Sequence, residues 1–224
     1  MWAIVVAGGS GRRFGGRKQF LSLAGSPVAA WSVRAARSVA EGVVLVVLAA
    51  GPDDDGSVPA PGATGEGALG ATCVVPGGST RADSVRAGLA AVPADAAIIV
   101  VHDAARPLAD PDLFAAVVAA VRAGGFDGAV PVVAVTDTLK RVIAGRVVAT
   151  VDRDGLLAVQ TPQAFVAAAL RGANAGGAEA SDDAGLLEAA GLAVAAVEGD
   201  RRNLKLTRPE DLALAEALLA GATT

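Results

Sequence analysis

The chain has 224 residues, 53% of them hydrophobic but only 3% aromatic, and a formal net charge of -4. That length admits a sizeable core in one α/β domain, and small aliphatic side chains suit helices packed closely on a mostly parallel sheet. The acidic balance excludes a general nucleic-acid binder, which needs a net basic face, and no apolar run approaches the roughly 18 residues of a membrane span.

Trp2 to Ala7 reads as a buried strand, and its early start leaves no room for a signal or transit peptide, so a cytoplasmic protein is expected. The strand breaks into Gly8-Gly9-Ser10-Gly11-Arg12-Arg13-Phe14-Gly15-Gly16-Arg17-Lys18-Gln19. Glycines let a backbone approach anionic oxygens and aim successive N–H groups at them, while Arg12, Arg13, Arg17 and Lys18 add charge. This combination suits a polyphosphate. It is not a dinucleotide fingerprint, because Phe14 stands where a third glycine after Gly9 and Gly11 belongs. Nor is it a P-loop, because Arg17 follows Gly16 and Gln19 follows Lys18. The plainer alternative is a basic surface loop.

Ser26-Pro27 signals a helix start, with Ser26 as N-cap, running to about Val39, and Val43 to Leu48 is a second buried strand. Gly51 to Gly70, rich in Gly, Pro and Asp, reads as a long irregular loop. A third strand near Thr72 to Val75 carries Cys73, the single cysteine, which is expected to be a buried structural thiol. It ends at Pro76-Gly77-Gly78, after which Ser79 or Thr80 caps a helix to Ala91. If the strands are parallel, the Gly77-Gly78 amides and Ser84 face the same sheet edge as the first loop, where a nucleotide crevice becomes plausible.

Ile98 to Val101 forms a fourth strand that delivers His102-Asp103-Ala104-Ala105-Arg106-Pro107. A carboxylate at the end of a central parallel strand sits where open α/β sheets bind ligands, which makes Asp103 the candidate for Mg²⁺. The competing reading has Asp103 capping a turn and pairing with Arg106; His102 is expected to be structural rather than a base. Asp110-Pro111 opens a helix to about Ala123, and Gly128 to Val135 is a fifth strand. Thr138 to Ile143 and Arg146 to Val151, joined by Ala144-Gly145, then read as a hairpin too short to stand alone, with another subunit as its natural support. A helix is expected near Ala164 to Ala173, another from Asp182 to Ala190 capped by Ser181, and a strand over Ala193 to Val197. Thr207 and Glu210 form a capping box for the terminal helix, to about Ala220.

Several stretches jointly resemble the 2-C-methyl-D-erythritol 4-phosphate cytidylyltransferase family of the non-mevalonate isoprenoid pathway. They are AGGSGRRF with KQF, GGSTRADSVRAGL, HDAARP, TDTLKR with TVDRDGL, QTPQAF and NLKLTRPEDLALAE, in family order across nearly the whole chain. The resemblance implies a Rossmann-like nucleotidyltransferase sandwich over residues 1–224, with residues 136–158 as a β-arm that joins a homodimer. It implies CTP and a polyol phosphate as substrates and Mg²⁺ as cofactor. Residue by residue, it makes Ala7, Gly8 and Gly9 the turn around the nucleotide, with Gly78, Ser84 and Ala104 beside it. Arg13 and Lys18 match the pair that stabilises the transition state. Asp103, Arg106, Thr138, Arg153, Thr161, Ser181 and Lys205 match positions around the acceptor, with Thr138 and Arg153 serving the partner's site and Asp103 lying near the metal. The spacing from Arg13 to Lys18 is shorter than in familiar members, and Ser181 stands where threonine is usual.

The chemistry so implied needs no general base, because a phosphate monoester, with a second pKa of about 6, is already largely dianionic at neutral pH. Rival readings are a cytidylyltransferase for ribitol 5-phosphate, a P-loop phosphotransferase and a non-catalytic nucleotide-binding regulator. The missing Lys-Ser/Thr disfavours the second, and the joint presence of Arg13, Lys18 and Asp103 the third.

Overall fold

In the computed structural model the residues described are 1–8, 17–47, 58–177 and 180–221. Gly9 and Arg13, with most of the basic loop, lie outside them, as do residues 48–57. In chain order the first half comprises β1 (Trp2–Ala7), β2 (Ser22–Leu23), β3 (Ser26–Pro27), α1 (Val28–Arg37), β4 (Gly42–Val47), β5 (Cys73–Pro76), α2 (Arg81–Ala91) and β6 (Ile98–Asp103). There follow α3 (Pro111–Arg122), β7 (Gly128–Ala134), β8 (Leu139–Ile143), β9 (Arg146–Val151), β10 (Leu157–Val159) and β11 (Gln163–Val166). The chain closes with α4 (Ala167–Ala175), α5 (Asp183–Ala189), β12 (Val194–Glu198) and α6 (Glu210–Gly221).

The main sheet runs β10-β7-β11-β6-β1-β4-β5, with β12 paired to β7. Period-two alternation decides its layering. Ala3, Val5 and Ala7 of β1 and Val43, Leu45 and Val47 of β4 face one core with α1 and α3, whereas Ile4, Val44 and Val46 face a second core with α2, α4 and α5. Both faces are covered, so the strands are apolar throughout. The sheet is mixed: β4, β6 and β5 run parallel within the β1 half, while β11 enters antiparallel between β6 and β7.

That insertion corrects the expected helix at Ala164. Ala164 pairs with both Val100 and Ala129 and Phe165 is fully buried, so ladder hydrogen bonds and core burial override the helix preference of alanine until Ala167. Ser26 is likewise no helix cap. Ala24 and Gly25 both have positive φ, 47° and 79°, and this turn folds Ser26-Pro27 back on Ser22-Leu23, so α1 begins at Val28. Asp182, not Ser181, caps α5 through Gly185 N. At α6 the reciprocal acceptor is Asp211 rather than Glu210: its Oδ2 takes the backbone N–H groups of Thr207 and Arg208 and the Thr207 hydroxyl. Cys73 is half-buried, because its strand lies at the sheet edge.

That edge is itself covered. Gly62 N donates to Val74 O at 2.8 Å and Val74 N to Ala63 O at 3.1 Å, so the irregular segment takes both outward backbone groups of Val74 in β5. From Val58 onward the long loop is irregular, as expected, apart from a short 3₁₀ turn at Gly65–Ala68. The hairpin forms as predicted: β8 and β9 make their own two-stranded sheet around Ala144 and Gly145, whose φ values of 46° and 78° suit the tight turn. Val142, Ile143, Val147 and Val148 on it are exposed.

Candidate active site

The parallel strands end in register: Val6 pairs with Asp103, Ala7 with Val47, and Val47 with Pro76. Gly8, Ala104 and the Gly77-Gly78 turn are therefore delivered to one edge, as the sequence reading required. Ala104 N donates to Val6 O at 3.0 Å, locking the HDAARP turn onto β1. The buried Gln19 donates from Nε2 to Ala7 O at 2.8 Å, and buried Phe20 anchors the same 3₁₀ turn. Lys18 opens that turn, so it is brought back to the carboxyl end of β1.

Gly78 is required by close approach, since a Cβ there would lie 2.1 Å from Asp83 Cβ. Its N–H donates to Ser84 Oγ at 3.2 Å, and that hydroxyl donates to Thr80 O at 3.0 Å. Ser84 is 1% exposed, so its hydroxyl serves the fold internally by shaping the glycine turn. Thr80 and Asp83 complete a capping box, fixing where α2 begins.

Asp103 closes β6 with both carboxylate oxygens facing cations. Oδ2 is 2.6 Å from Lys205 Nζ and Oδ1 is 3.3 Å from Arg81 Nε. Burial pushes this carboxyl up, but the Arg81 and Lys205 charges outweigh it, and the group is held well below the ordinary carboxylate range. The expected turn exists, with Arg106 N donating to Asp103 O at 3.0 Å, yet the carboxylate pairs with Arg81 and Lys205 rather than with Arg106. Arg106 instead donates from Nη1 to Asn203 O at 2.7 Å, tying the turn to the segment that carries Lys205.

Beneath Asp103, Thr161 accepts the Asp103 backbone N–H at 3.0 Å and lies 3.0 Å from His102 Nδ1. His102 Nε2 is 3.2 Å from Arg106 O. Burial drives the imidazole down to about 4, against the opposing pull of Asp103, so His102 is neutral at pH 7 and structural, as anticipated.

The structure thus joins Asp103, Arg106, Thr161 and Lys205 into one cluster beside Gly8, Gly78 and Ala104. Thr138 and Arg153 belong instead to the foot of the arm, where Arg153 Nη1 donates to Thr136 O. Ser181 is exposed, one residue before the α5 cap. Sequence reasoning missed Arg81 and Asp183. Arg81 Nη1 reaches Asp183 Oδ2 at 2.8 Å, and Asp183 is 1% exposed. A signal was present, because an arginine in the first turn of a helix opposes the helix dipole and calls for nearby carboxylates.

For a divalent cation, the described residues hold no group of three His, Cys, Asp or Glu side chains able to enclose it. Asp103 is one ionised carboxylate at the sheet edge with both oxygens already facing Arg81 and Lys205, so a hard cation here would share it with those two cations and take most of its shell from substrate phosphate and water.

A family model described as IspD, 2-C-methyl-D-erythritol 4-phosphate cytidylyltransferase, matches residues 1–221. The chain is 45% identical over 222 residues to the 2-C-methyl-D-erythritol 4-phosphate cytidylyltransferase of Frankia casuarinae, covering 97% of this chain and 80% of that protein. It is 46% identical over 226 residues to that of Cereibacter sphaeroides, covering 97% and 96%. It also matches the bifunctional enzyme IspD/IspF of Clavibacter michiganensis at 45% identity, but spans only 54% of that protein's length. Among solved structures, the 2-C-methyl-D-erythritol 4-phosphate cytidylyltransferase of Thermus thermophilus superposes with a TM-score of 0.78 at 35% identity, covering 97% of this chain and 98% of that one.

Proposed function

The chain belongs to the 2-C-methyl-D-erythritol 4-phosphate cytidylyltransferase family, and from that premise we propose that it transfers CMP from CTP to 2-C-methyl-D-erythritol 4-phosphate. A phosphate oxygen of the acceptor attacks the α-phosphorus, the bond to the bridging oxygen breaks, and pyrophosphate leaves. The observation that carries this reading is the Asp103–Lys205 pair, 2.6 Å apart at the edge where β1 and β5 also deliver their glycine turns. It provides a fixed ammonium for an anionic acceptor next to backbone suited to a triphosphate.

The obstacle to this reaction is that one anion must approach another while charge grows on the leaving group. Arg13 and Lys18 supply cations at the triphosphate, with Ala7, Gly8, Gly9, Gly78 and Ala104 around the nucleotide. Lys205, Arg106, Thr161 and Ser181 border the acceptor. Mg²⁺, when bound, would screen the triphosphate, with Asp103 as the carboxylate this chain offers it. No side-chain base is needed, in keeping with a histidine that is buried and neutral. The exposed valines and isoleucine of the β8–β9 arm suit a homodimer in which Thr138 and Arg153 serve the neighbouring site. The enzyme so described works in the cytoplasm.

The test is pyrophosphate release with CTP, comparing 2-C-methyl-D-erythritol 4-phosphate and ribitol 5-phosphate in parallel. Release with the first acceptor, dependent on Mg²⁺ and much faster than with the second, is expected. Absence of release, or preference for ribitol 5-phosphate, would overturn the assignment.

A further inference from the structure

Four charges of alternating sign cross the site in file. Asp183 Oδ2 is 2.8 Å from Arg81 Nη1, Arg81 Nε is 3.3 Å from Asp103 Oδ1, and Asp103 Oδ2 is 2.6 Å from Lys205 Nζ. The links come from the start of α5, the start of α2, the end of β6 and the segment after β12, so the file spans parts of the chain far apart in sequence.

Its two ends differ. Asp183 is 1% exposed, whereas the Lys205 side chain is 43% exposed. A lysine on a four-carbon stem has ample rotamer freedom, and an exposed ammonium held by one carboxylate is only as well placed as that carboxylate. Asp103 could present its oxygens in several orientations; Arg81 Nε on Oδ1 selects the one that turns Oδ2 to Lys205. Arg81 in turn is held from behind by the buried Asp183. Such an arrangement is costly as mere scaffolding, because a buried ion pair seldom stabilises more than apolar side chains of like volume, and an arginine at the first turn of α2 works against the helix dipole.

We infer that Arg81, anchored by Asp183, is a positioning residue that sets the Lys205 ammonium through Asp103 and so tunes affinity for the acceptor phosphate. The inference rests on the proposed cytidylyl transfer for its kinetic readout. Arg81→Gln and Asp183→Asn are the informative variants, each near its parent in size, with Arg81→Lys as the conservative rescue.

In both variants KM for 2-C-methyl-D-erythritol 4-phosphate should rise by about tenfold or more, the scale of a lost charge-assisted contact, while KM for CTP stays within about twofold. Arg81→Lys should recover part of the loss. In a Lys205→Ala background Arg81→Gln should add little further, because the two act as one unit. Equal rises in both KM values, a rise for CTP alone, or full additivity with Lys205→Ala would overturn the inference. So would loss of the folded state in all three variants, which would make the file a structural clamp.

Wild-type enzyme assayed alongside separates the two claims: no pyrophosphate release from it refutes the functional reading. The geometric half is then read without substrate, by NMR of the Lys205 ammonium. A signal broadened or shifted toward that of a free lysine in Arg81→Gln is expected; an unchanged signal overturns the inference.

Discussion

The Thr161 hydroxyl lies 3.0 Å from Nδ1 of His102, the chain's lone histidine, and the contact at the opposite ring nitrogen decides which of the two donates. Arg106 O, 3.2 Å from Nε2, can only accept, so Nε2 carries the proton and Nδ1 accepts from the hydroxyl. The Thr161 oxygen is left to accept the Asp103 N–H. One neutral imidazole therefore organises the turn that presents Asp103.

A pH dependence of stability follows. The unfolded imidazole titrates near 6.5, whereas burial lowers the folded one to about 4. Below pH 6.5 the unfolded state binds a proton that the folded state refuses, so stability falls through the window from 6.5 to about 4, by about 3 kcal/mol in all, and then levels for this group. Asp103 has the opposite disposition: its depressed carboxyl contributes stability that is lost only at more acidic pH. Urea unfolding at pH 7 and pH 5 should show the decline in wild type and a shallower one in His102→Gln. Equal slopes would remove His102 as its source.

Lys18→Ala and Arg13→Ala should each lower turnover by about 10²-fold or more, the scale of losing one preorganised charge at a transition state. Cooperative thermal unfolding should be retained. Wild-type turnover in either variant would exclude that residue from the transition-state role.

Gly78→Ala should raise KM for CTP by about tenfold, since displacing the glycine turn by even an ångström degrades alignment at the nucleotide. The clash is with Asp83 Cβ, 2.1 Å from the added carbon, so the capping box must shift as well. Steady-state kinetics with CTP varied at saturating acceptor checks this, an unchanged KM counting against a nucleotide role for the turn.

If the arm joins the homodimer proposed above, Val147→Asp should halve the mass seen by light scattering after gel filtration, and an unchanged mass would count against that role of the arm. Val147 is 58% exposed and pairs with Val142, so the change leaves the hairpin ladder intact while charging its apolar face. A monomer with reduced use of the acceptor is expected if Thr138 and Arg153 serve the neighbouring site.

Arg171→Ala should lower stability by about 1–3 kcal/mol without altering KM values. Its guanidinium donates to Leu89 O, Val92 O and Pro93 O at 3.0–3.1 Å, satisfying carbonyls at the end of α2 from across the second core. Urea midpoints for Arg171→Ala and Arg171→Lys, with the lysine intermediate, test this.

Much of this could be read from the chain because local rules and global fold agree there. The strand at Trp2, the Thr80 and Asp110 caps and the Ala144-Gly145 turn each have one residue-level cause, and each formed where expected. Ser26 and Ala164 were misread where tertiary pairing decides: a positive-φ turn captured the first and a two-sided sheet position the second. In the site, Asp103 was legible from its place at the end of a parallel strand, and Lys205 only through the family resemblance. Their direct contact was not, nor was Arg81 between Asp103 and Asp183, because Asp103 lies 22 residues from Arg81 and 102 from Lys205, and only the folded sheet brings them together.

The cover that Gly62 and Ala63 lay over Val74 has a colloidal consequence. An outermost strand with free amides and carbonyls is a template on which a second molecule can stack, and here the amide and carbonyl of Val74, in the middle of that strand, are already bonded within the chain. Crowding the protein should therefore not seed fibrous polymer from this margin, even though β5 carries apolar side chains and a thiol.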